Sequence, residues 1–294
     1  MVEGLRMTQQ QMNIREALLE ARTSIDPVDA RILLGHALNA SKEHLATHPD
    51  RLLTNDVAAR FRALVGRRAN GEPIAYLTGK REFYGRDFGV TPAVLIPRPE
   101  TELLVDVALQ RMPADHSCRV LDLGTGNGAI AITLACERPQ AMVTAVDAAQ
   151  AALDLASRNA RRLIGEHWAS RLTLLHGDWY RPVAGQRFHL IVANPPYVAE
   201  DDPHLDQGDL RFEPRAALTP GGDGLAALHE IIRGAGQHLR PGGWLLCEHG
   251  YDQGHPVRTL FQAAGLMNVY VEEDLARLPR VAWGQFTQVA GELS

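Results

Sequence analysis

The chain has 294 residues, 45% of them hydrophobic and 22% charged, with a formal net charge of −5. That is the composition of a globular protein with a substantial core, and it provides no overall basic character for gripping nucleic acid by its phosphates. No apolar run approaches the ~18 residues a membrane helix needs, and the opening "MVEGLRMTQQQMNIREALLEA" lacks the apolar centre of a signal peptide, so a cytoplasmic protein with no membrane association is expected. The length suits one large domain or two modest ones. Cys118, Cys136 and Cys247 are odd in number and far apart, with no zinc spacing and no disulfide framework; small buried residues are expected.

Residues 1–80 carry 11 Lys+Arg against 9 Asp+Glu, and residues 81–294 carry 19 against 26. The N-terminal part is slightly basic and the remainder acidic. Residues 12–80 read as short amphipathic helices with short loops, a small bundle. "NIREALLEAR" places Ile14, Leu18 and Ala21 on one face. "DPVDARILLGHAL" offers Asp26 as N-cap and Pro27 at the first helical position. "SKEHLATHP" starts at Ser41 and stops before Pro49, and "TNDVAARFRALVGRRANG" brings Val57, Phe61 and Leu64 together and ends near Gly71. His44 and His48 have the i, i+4 spacing of two metal ligands but lack the Glu of H-E-x-x-H and a third ligand nearby; two exposed helix residues are the expectation.

Between 81 and 98, "REFYGRDFGVTPAVLIPRP" reads as a hairpin or extended linker. "PRPETELLVDVAL" opens a helix with Pro99 at its start and Glu100 and Glu102 in its first turn. From 119 onward strands alternate with helices. "RVLDL", "MVTAVD", "RLTLLHGD", "FHLIVAN" and "GWLLCEHG" are the strands, with helices from about Gly128, Ala149, Gly224 and Gln253. "NVYVEED" and "WGQFTQV" follow with no helix between them. The pattern is α/β, a doubly wound sheet ending in an antiparallel pair.

"VLDLGTGNGAIAITLA" leaves the first of these strands and opens a helix. Gly124, Gly126 and Gly128 alternate with other residues, and Asp122 stands at the strand end. Glycine allows a tight turn and close approach of a ligand. Asp147 closes the next strand, 19 residues after Gly128, at the sheet edge where a carboxylate can accept both ribose hydroxyls. A dinucleotide would bring a pyrophosphate to the helix N-terminus. S-adenosylmethionine brings an amino group and a sulfonium instead, and Asp122 favours it. The bland alternative is a glycine turn that serves packing only. In "HGDW", Asp178 could accept from an adenine amine and Trp179 could flank the ring or anchor the loop on the core.

The run "FHLIVA" ends in "NPPYV". Asn194 precedes a proline and is pushed toward an extended backbone. Pro195 and Pro196 lack N–H groups but keep their carbonyls. The result is a stiff edge rich in acceptors, with Tyr197 adding a flat face, suited to a planar group bearing an NH2. Holding both hydrogens of an amide or nucleobase NH2 would aim its nitrogen lone pair at a methyl sulfonium, and catalysis would be mostly positioning. The architectural alternative is a rigid strand-to-loop turn.

"DLGTGNGAI", "VD" at 146–147, "GDW" and "NPPYV" together resemble the class I methyltransferases that modify planar NH2 groups. "PIAYLTGKREFYG", "LIPRPETELLVD", "PHLDQGDLRFEPRAAL" and "LLCEHGYDQG" extend the resemblance to the peptide chain release factor glutamine methyltransferases, over nearly the whole chain after about residue 12. The resemblance implies a Rossmann-like, mostly parallel seven-stranded sheet. It also implies an N-terminal helical domain for substrate docking (1–80), a hairpin linker (81–98) and an S-adenosylmethionine-dependent methyltransferase domain (99–294). Asp122, Leu123, Gly124, Thr125 and Gly126 would cradle the methionine part of S-adenosylmethionine, Asp147 the ribose, and Asp178 and Trp179 the adenine. Asn194, Pro195, Pro196 and Tyr197 would bind the glutamine side chain, with Asn194 also beside the cofactor. The substrate implied is the glutamine of the Gly-Gly-Gln motif in class 1 release factors, and the second product S-adenosylhomocysteine. Asn127 stands where the family has Ser or Thr and keeps a small polar group. The first eleven residues resemble nothing, so Met7 and Met12 are alternative starts to Met1. An adenine-specific nucleic-acid methyltransferase would share the chemistry but needs base flipping and a basic groove. A ribosomal-protein glutamine methyltransferase would need other docking elements than "RFEP". A binding protein without activity would not need an intact NPPY.

Overall fold

Four helices of the N-terminal region begin where a side chain accepts the first free backbone N–H groups. The computed structural model describes residues 11–114 and 116–287; Met1, Met7 and the last two residues of "WGQFTQV" lie outside them. The chain divides into two units, Met1–Gly79 and Lys80–Ser294. In the first, α1 (Ile14–Ala21) is closed by a capping box between Asn13 and Glu16. Asp26 caps α2 (Pro27–Leu38) through the Val28 N–H at 2.7 Å. Ser41 caps α3 (Lys42–Thr47) and Thr54 caps α4 (Asn55–Ala69). A fifth helix, α5 (Ile74–Thr78), has no side-chain cap. Ile14, Leu33, Leu34 and Phe61 are buried at the centre of this bundle. Leu18 and Val57 are half-buried beside it. His44 and His48 stack at 4.3 Å between ring centres, and His44 Nε2 accepts from the Arg51 guanidinium at 2.6 Å, so that nitrogen is already engaged.

The second unit opens with a hairpin, β1 (Lys80–Phe83) and β2 (Arg86–Gly89), turned by Tyr84 and Gly85 at positive φ. It is more than a linker: Phe83 and Phe88 are fully buried in the same core as the sheet, each contributing ~1.5–3 kcal/mol of apolar burial. Residues 90–98 then run without regular structure. One 3-10 turn, Pro99–Thr101, precedes α6 (Glu102–Arg111), so the helix proper starts three residues after Pro99.

Strands β3 (Arg119–Leu123), β4 (Met142–Asp147), β5 (Leu172–His176), β6 (Phe188–Ala193) and β7 (Leu239–Glu248) are parallel. Between them lie α7 (Ala129–Glu137), α8 (Gln150–Ile164), the short α9 (Arg215–Leu218) and α10 (Ala226–His238). After α11 (Gly254–Ala263) come β8 (Leu266–Glu273) and β9 (Pro279–Phe286), with β9 antiparallel to both β7 and β8. The seven-stranded order is β5-β4-β3-β6-β7-β9-β8. Alternate residues feed two cores: Val120, Val143 and Val192 pack with α6 and α7, while Leu121, Ile191 and Leu245 pack with α10 and α11. The chain moves outward from β3 through β4 to β5, then returns to place β6 on the other side of β3. Connections leaving β3 and β6 therefore diverge, and the crevice they leave at the carboxyl edge is where such sheets take ligands. Cys118 and Cys247 are buried and free, and Cys136 is half-buried. No described helix is long and apolar enough to cross a membrane.

Two asparagines bind β2 to the glycine loop. Asn159, on α8 and 2% exposed, accepts from the Gly89 N–H at 2.8 Å and donates to Gly89 O at 3.1 Å and to Asn127 O at 2.9 Å. Asn127 adds a bond from its own Nδ2 to Gly89 O at 3.2 Å. Asn159→Ala leaves the Gly89 N–H and the Asn127 carbonyl without partners, so a loss of about 1–3 kcal/mol is expected. Urea unfolding should show a lower midpoint at unchanged slope; an unchanged midpoint would mean that water replaces the amide without cost.

Candidate active site

The glycine loop folds over the end of β4. The Gly124 and Thr125 N–H groups both donate to Val146 O, at 2.9 and 3.0 Å. Gly124 and Gly126 have φ of +74° and +57°, a region that costs other residues strain. Their Cα atoms face outward while Leu123, Thr125 and Asn127 turn inward and are buried. A Cβ on Gly124 would lie 3.6 Å from the Trp179 ring and 4.0 Å from the Asn194 carbonyl oxygen, in the space where a ligand would rest.

That space is a cavity of about 460 Å³, within the usual range for small-molecule sites. Gly124, Gly126, Asp147, Asp178, Trp179, Asn194 and Pro196 all line it. The fold thus brings together most of the residues singled out in the sequence. Asp122, Leu123, Thr125, Pro195 and Tyr197 are not on its wall. Leu123 belongs to the core, and Pro195 is buried behind its neighbour.

Asp147 is spanned by two backbone donors: Oδ2 accepts from Gly126 N and Oδ1 from Ala149 N, both at 2.8 Å. Burial raises its pKa, and those two amides oppose the rise. Each oxygen keeps a second acceptor site for a ligand hydroxyl. Asp178 is exposed and lies 3.5 Å from Arg181. Trp179, at φ +38°, both lines the cavity and packs on the core.

Asp122 is fully buried beneath the loop. Oδ2 accepts from the Thr125 hydroxyl at 2.6 Å, while Oδ1 has no partner. Burial pushes its pKa up to about 7, against the Thr125 and Ala131 donors and with a push from Asp147. An under-satisfied buried carboxyl in this place fits a cationic ligand above it.

Asn194 Nδ2 donates to Thr101 Oγ1 at 3.0 Å, and its Oδ1 has no protein partner among the described residues. The Tyr197 hydroxyl donates to Glu248 Oε1 at 3.0 Å, and the Tyr197 carbonyl accepts from Gln253 Nε2 at 2.9 Å. Burial, then the Glu248 charge, raises the phenol pKa. The ring packs on the core instead of covering the cavity.

Two further parts of the wall come from Ala93–Leu95 and from Pro214, Ala216 and Ala217. One buried carboxylate joins the two segments: Glu213 accepts from Ile96 N at 2.9 Å and from the Arg98 guanidinium. In "RPETE", Arg98 thus holds Glu213, Thr101 holds Asn194, and Glu102 accepts from the Tyr84 N–H of the hairpin turn at 2.8 Å. Glu213, Thr101 and Glu248 were not singled out individually in the sequence. Glu248 carried a usable signal, because it closes a buried strand just as Asp122 and Asp147 do. Glu213 is isolated in a loop and carried none.

A seven-stranded sheet of this order, with a ligand-sized cavity between a glycine loop and an NPPY turn, defines a methyltransferase of the class I type. Residues 100–225 match the methyltransferase small domain family, and residues 11–79 match the PrmC N-terminal domain family. The backbone is similar to that of a methyltransferase from Pyrococcus furiosus, with a TM-score of 0.52 at 17% identity over 76% of this chain and 98% of that one. The chain belongs to the release factor glutamine methyltransferase family. It is 54% identical over 263 residues to the release factor glutamine methyltransferase of Burkholderia pseudomallei, covering 89% of this chain and 92% of the relative. It is 53% identical over 270 residues to that of Xylella fastidiosa, covering 92% and 97%.

Asp122 also makes stability depend on pH in a definite direction. Below its usual value near 3.8 it is neutral folded or unfolded. Between there and about 7 the unfolded chain has released the proton that the folded chain still holds, so its contribution falls as pH rises through that window. Asp122→Asn should be more stable than wild type at pH 8, with the difference vanishing toward pH 4. Parallel urea titrations across that range test this; curves that stay parallel would mean that Asp122 does not titrate there.

Proposed function

We propose that the chain transfers a methyl group from S-adenosylmethionine to the side-chain amide nitrogen of the glutamine in the Gly-Gly-Gln motif of class 1 peptide chain release factors. The observation that carries this reading is Asn194: its NH2 end is tied back to Thr101, and its oxygen is left to accept an N–H beside the glycine loop. Family membership supports the substrate.

S-adenosylmethionine, when bound, supplies a methyl group activated by a positive sulfonium. Gly124 and Gly126 leave room for it, Asp147 would accept from the ribose hydroxyls, and Asp178 and Trp179 would meet the adenine. Asp122 lies below as a buried acid whose charged form a nearby cation favours. On the acceptor side, Asn194 Oδ1 would take one amide hydrogen and a proline carbonyl of the NPPY turn the other. An amide nitrogen is weakly nucleophilic because its lone pair is delocalised; fixing both hydrogens holds the nitrogen for attack. The proton leaves to solvent once the nitrogen is alkylated. Positioning of this kind is worth effective molarities of ~10⁵ M or more. The excess of acidic residues in 81–294 speaks against a nucleic-acid substrate. The slightly basic N-terminal helices would help to hold the release factor.

Asn194→Ala should lower the single-turnover rate on release factor by about 10²–10³, the ~2.7–4 kcal/mol of one lost positioning hydrogen bond, with a smaller effect on cofactor affinity by calorimetry. A near wild-type rate would sink the mechanism, and a protein that simply unfolds would point to the rigid-turn alternative. A chain beginning at Lys80 keeps the hairpin and its core, so it should bind cofactor yet lose most turnover on intact release factor. Undiminished turnover would remove the docking role from the helices.

A further inference from the structure

We propose that Gln253 is a positioning residue that holds the downstream end of the NPPY turn, and so sets where its proline carbonyl stands against the acceptor amide. The proposal rests on the functional reading above. It starts from a constraint on the turn itself. Pro195 and Pro196 carry no N–H, so this stretch cannot be fixed through its own backbone donors and must be held from its two ends. The upstream end is Asn194, which follows the β6 ladder and is tied to Thr101. The downstream end is Tyr197.

Tyr197 is held at both of its polar ends by one segment, "EHGYDQ" at the end of β7. Its phenol donates to Glu248 Oε1 at 3.0 Å, and its carbonyl accepts from Gln253 Nε2 at 2.9 Å. The two ends of a glutamine amide have nearly the same shape, so hydrogen bonding must choose between them. Here both partners have roles that cannot reverse. The Gly250 N–H can only donate, and it meets Gln253 Oε1 at 2.9 Å; the Tyr197 carbonyl can only accept, and it meets Nε2.

Gln253 is 8% exposed and stands at the N-cap position of α11, yet its side chain makes no cap bond. It reaches instead to a residue 56 positions earlier in the chain. Gly224 leaves room for that reach: at φ +82°, a Cβ on it would lie 2.3 Å from the Tyr197 carbonyl oxygen and 3.0 Å from Gln253 Nε2. The Val198 N–H, next in the chain, donates to Leu218 O at 2.9 Å, which holds the backbone beyond the turn and leaves the Tyr197 carbonyl to Gln253. Asn194 and Pro196 line the cavity whereas Gln253 does not, so its influence on the acceptor passes through the turn.

The test uses the full chain with Gln253→Glu. The new carboxyl keeps an acceptor for the Gly250 N–H. Ionised, it sets a second oxygen against the Tyr197 carbonyl; protonated, it donates an O–H there as the amide does. Burial and the facing carbonyl favour the protonated form. Single-turnover methylation of release factor, at saturating cofactor and release factor, should be about a hundredfold slower than wild type at about pH 9, the scale of a misplacement of roughly 1 Å. The ratio of variant to wild type should rise toward one as pH falls to about 6, because the donor returns. Asp223, Glu248, His249, Asp252, Arg280 and the Tyr197 phenol are common to both proteins, so the ratio reads the new carboxyl. Cofactor affinity by calorimetry should stay within about twofold across that range, well under the tenfold that 1.4 kcal/mol represents. A wild-type rate at about pH 9, or a deficit that does not lessen as pH falls, would overturn the proposal. Should Gln253→Glu not fold at high pH, Gln253→Met, of similar length with neither charge nor donor, decides: a slow rate at unchanged cofactor affinity upholds the proposal, and a wild-type rate overturns it. A wild type that binds cofactor but methylates no release factor would overturn the functional reading, and this proposal with it.

Discussion

β3 and β6 are hydrogen-bonded neighbours, yet the chain leaves their carboxyl ends toward different parts of the sheet. Two parallel strands cannot both be continued into the same space, so a crevice opens between the glycine loop after β3 and the NPPY turn after β6. Everything chemical in the molecule is arranged around that gap. The strand ends place Asp147, Asn194 and Glu248 at one height, with Asp122 two residues lower, and the sheet ladder holds those heights rigidly. A site whose chemistry is mostly positioning gains from being built on strand ends instead of on long loops.

The edge is also unusual electrically. Asp122, Glu213 and Glu248 are buried acids, and Asp147 is half-buried. Each has found a different answer to the cost of desolvation. Asp147 is held by two backbone amides, Glu213 by an amide and a guanidinium, and Glu248 by the Tyr197 hydroxyl with Arg280 nearby. Asp122 and Glu248 each keep one oxygen without a partner, and of the two it is Asp122 that lies beneath the glycine loop. The pattern of satisfaction separates Asp147 and Glu213, whose two oxygens are both held, from two acids that each keep one oxygen unengaged.

Much of this was legible in the sequence because it depends on period and punctuation. The caps at Asp26 and Ser41, the glycine loop, the acidic strand ends and the NPPY turn all stand where local chemistry requires them. α5 was missed because Ile74–Thr78 is a single apolar turn with no capping side chain. The hairpin was read, but not its burial, since four-residue strands cannot announce what covers them. Tyr197 was read as a flat face for the substrate, whereas its phenol reaches a carboxylate on another strand, a contact visible only when β6 and β7 are known to be neighbours. Glu213 and Arg98 are 115 residues apart, and no local rule connects them.

That last pair has a kinetic meaning. The segments at 93–95 and 214–217 form the cover of the cavity, and the sheet edge forms its floor. Glu213 ties the two segments to each other, so they can move apart only when that carboxylate lets go. Parting a charged hydrogen bond of this kind costs about 1.5–3 kcal/mol, so the open form would be roughly ten- to a hundredfold rarer than the closed one, at about 1.4 kcal/mol per factor of ten. The spacing of the two walls is thus set by a single carboxylate, and a change at Glu213 would be felt on both of them at once.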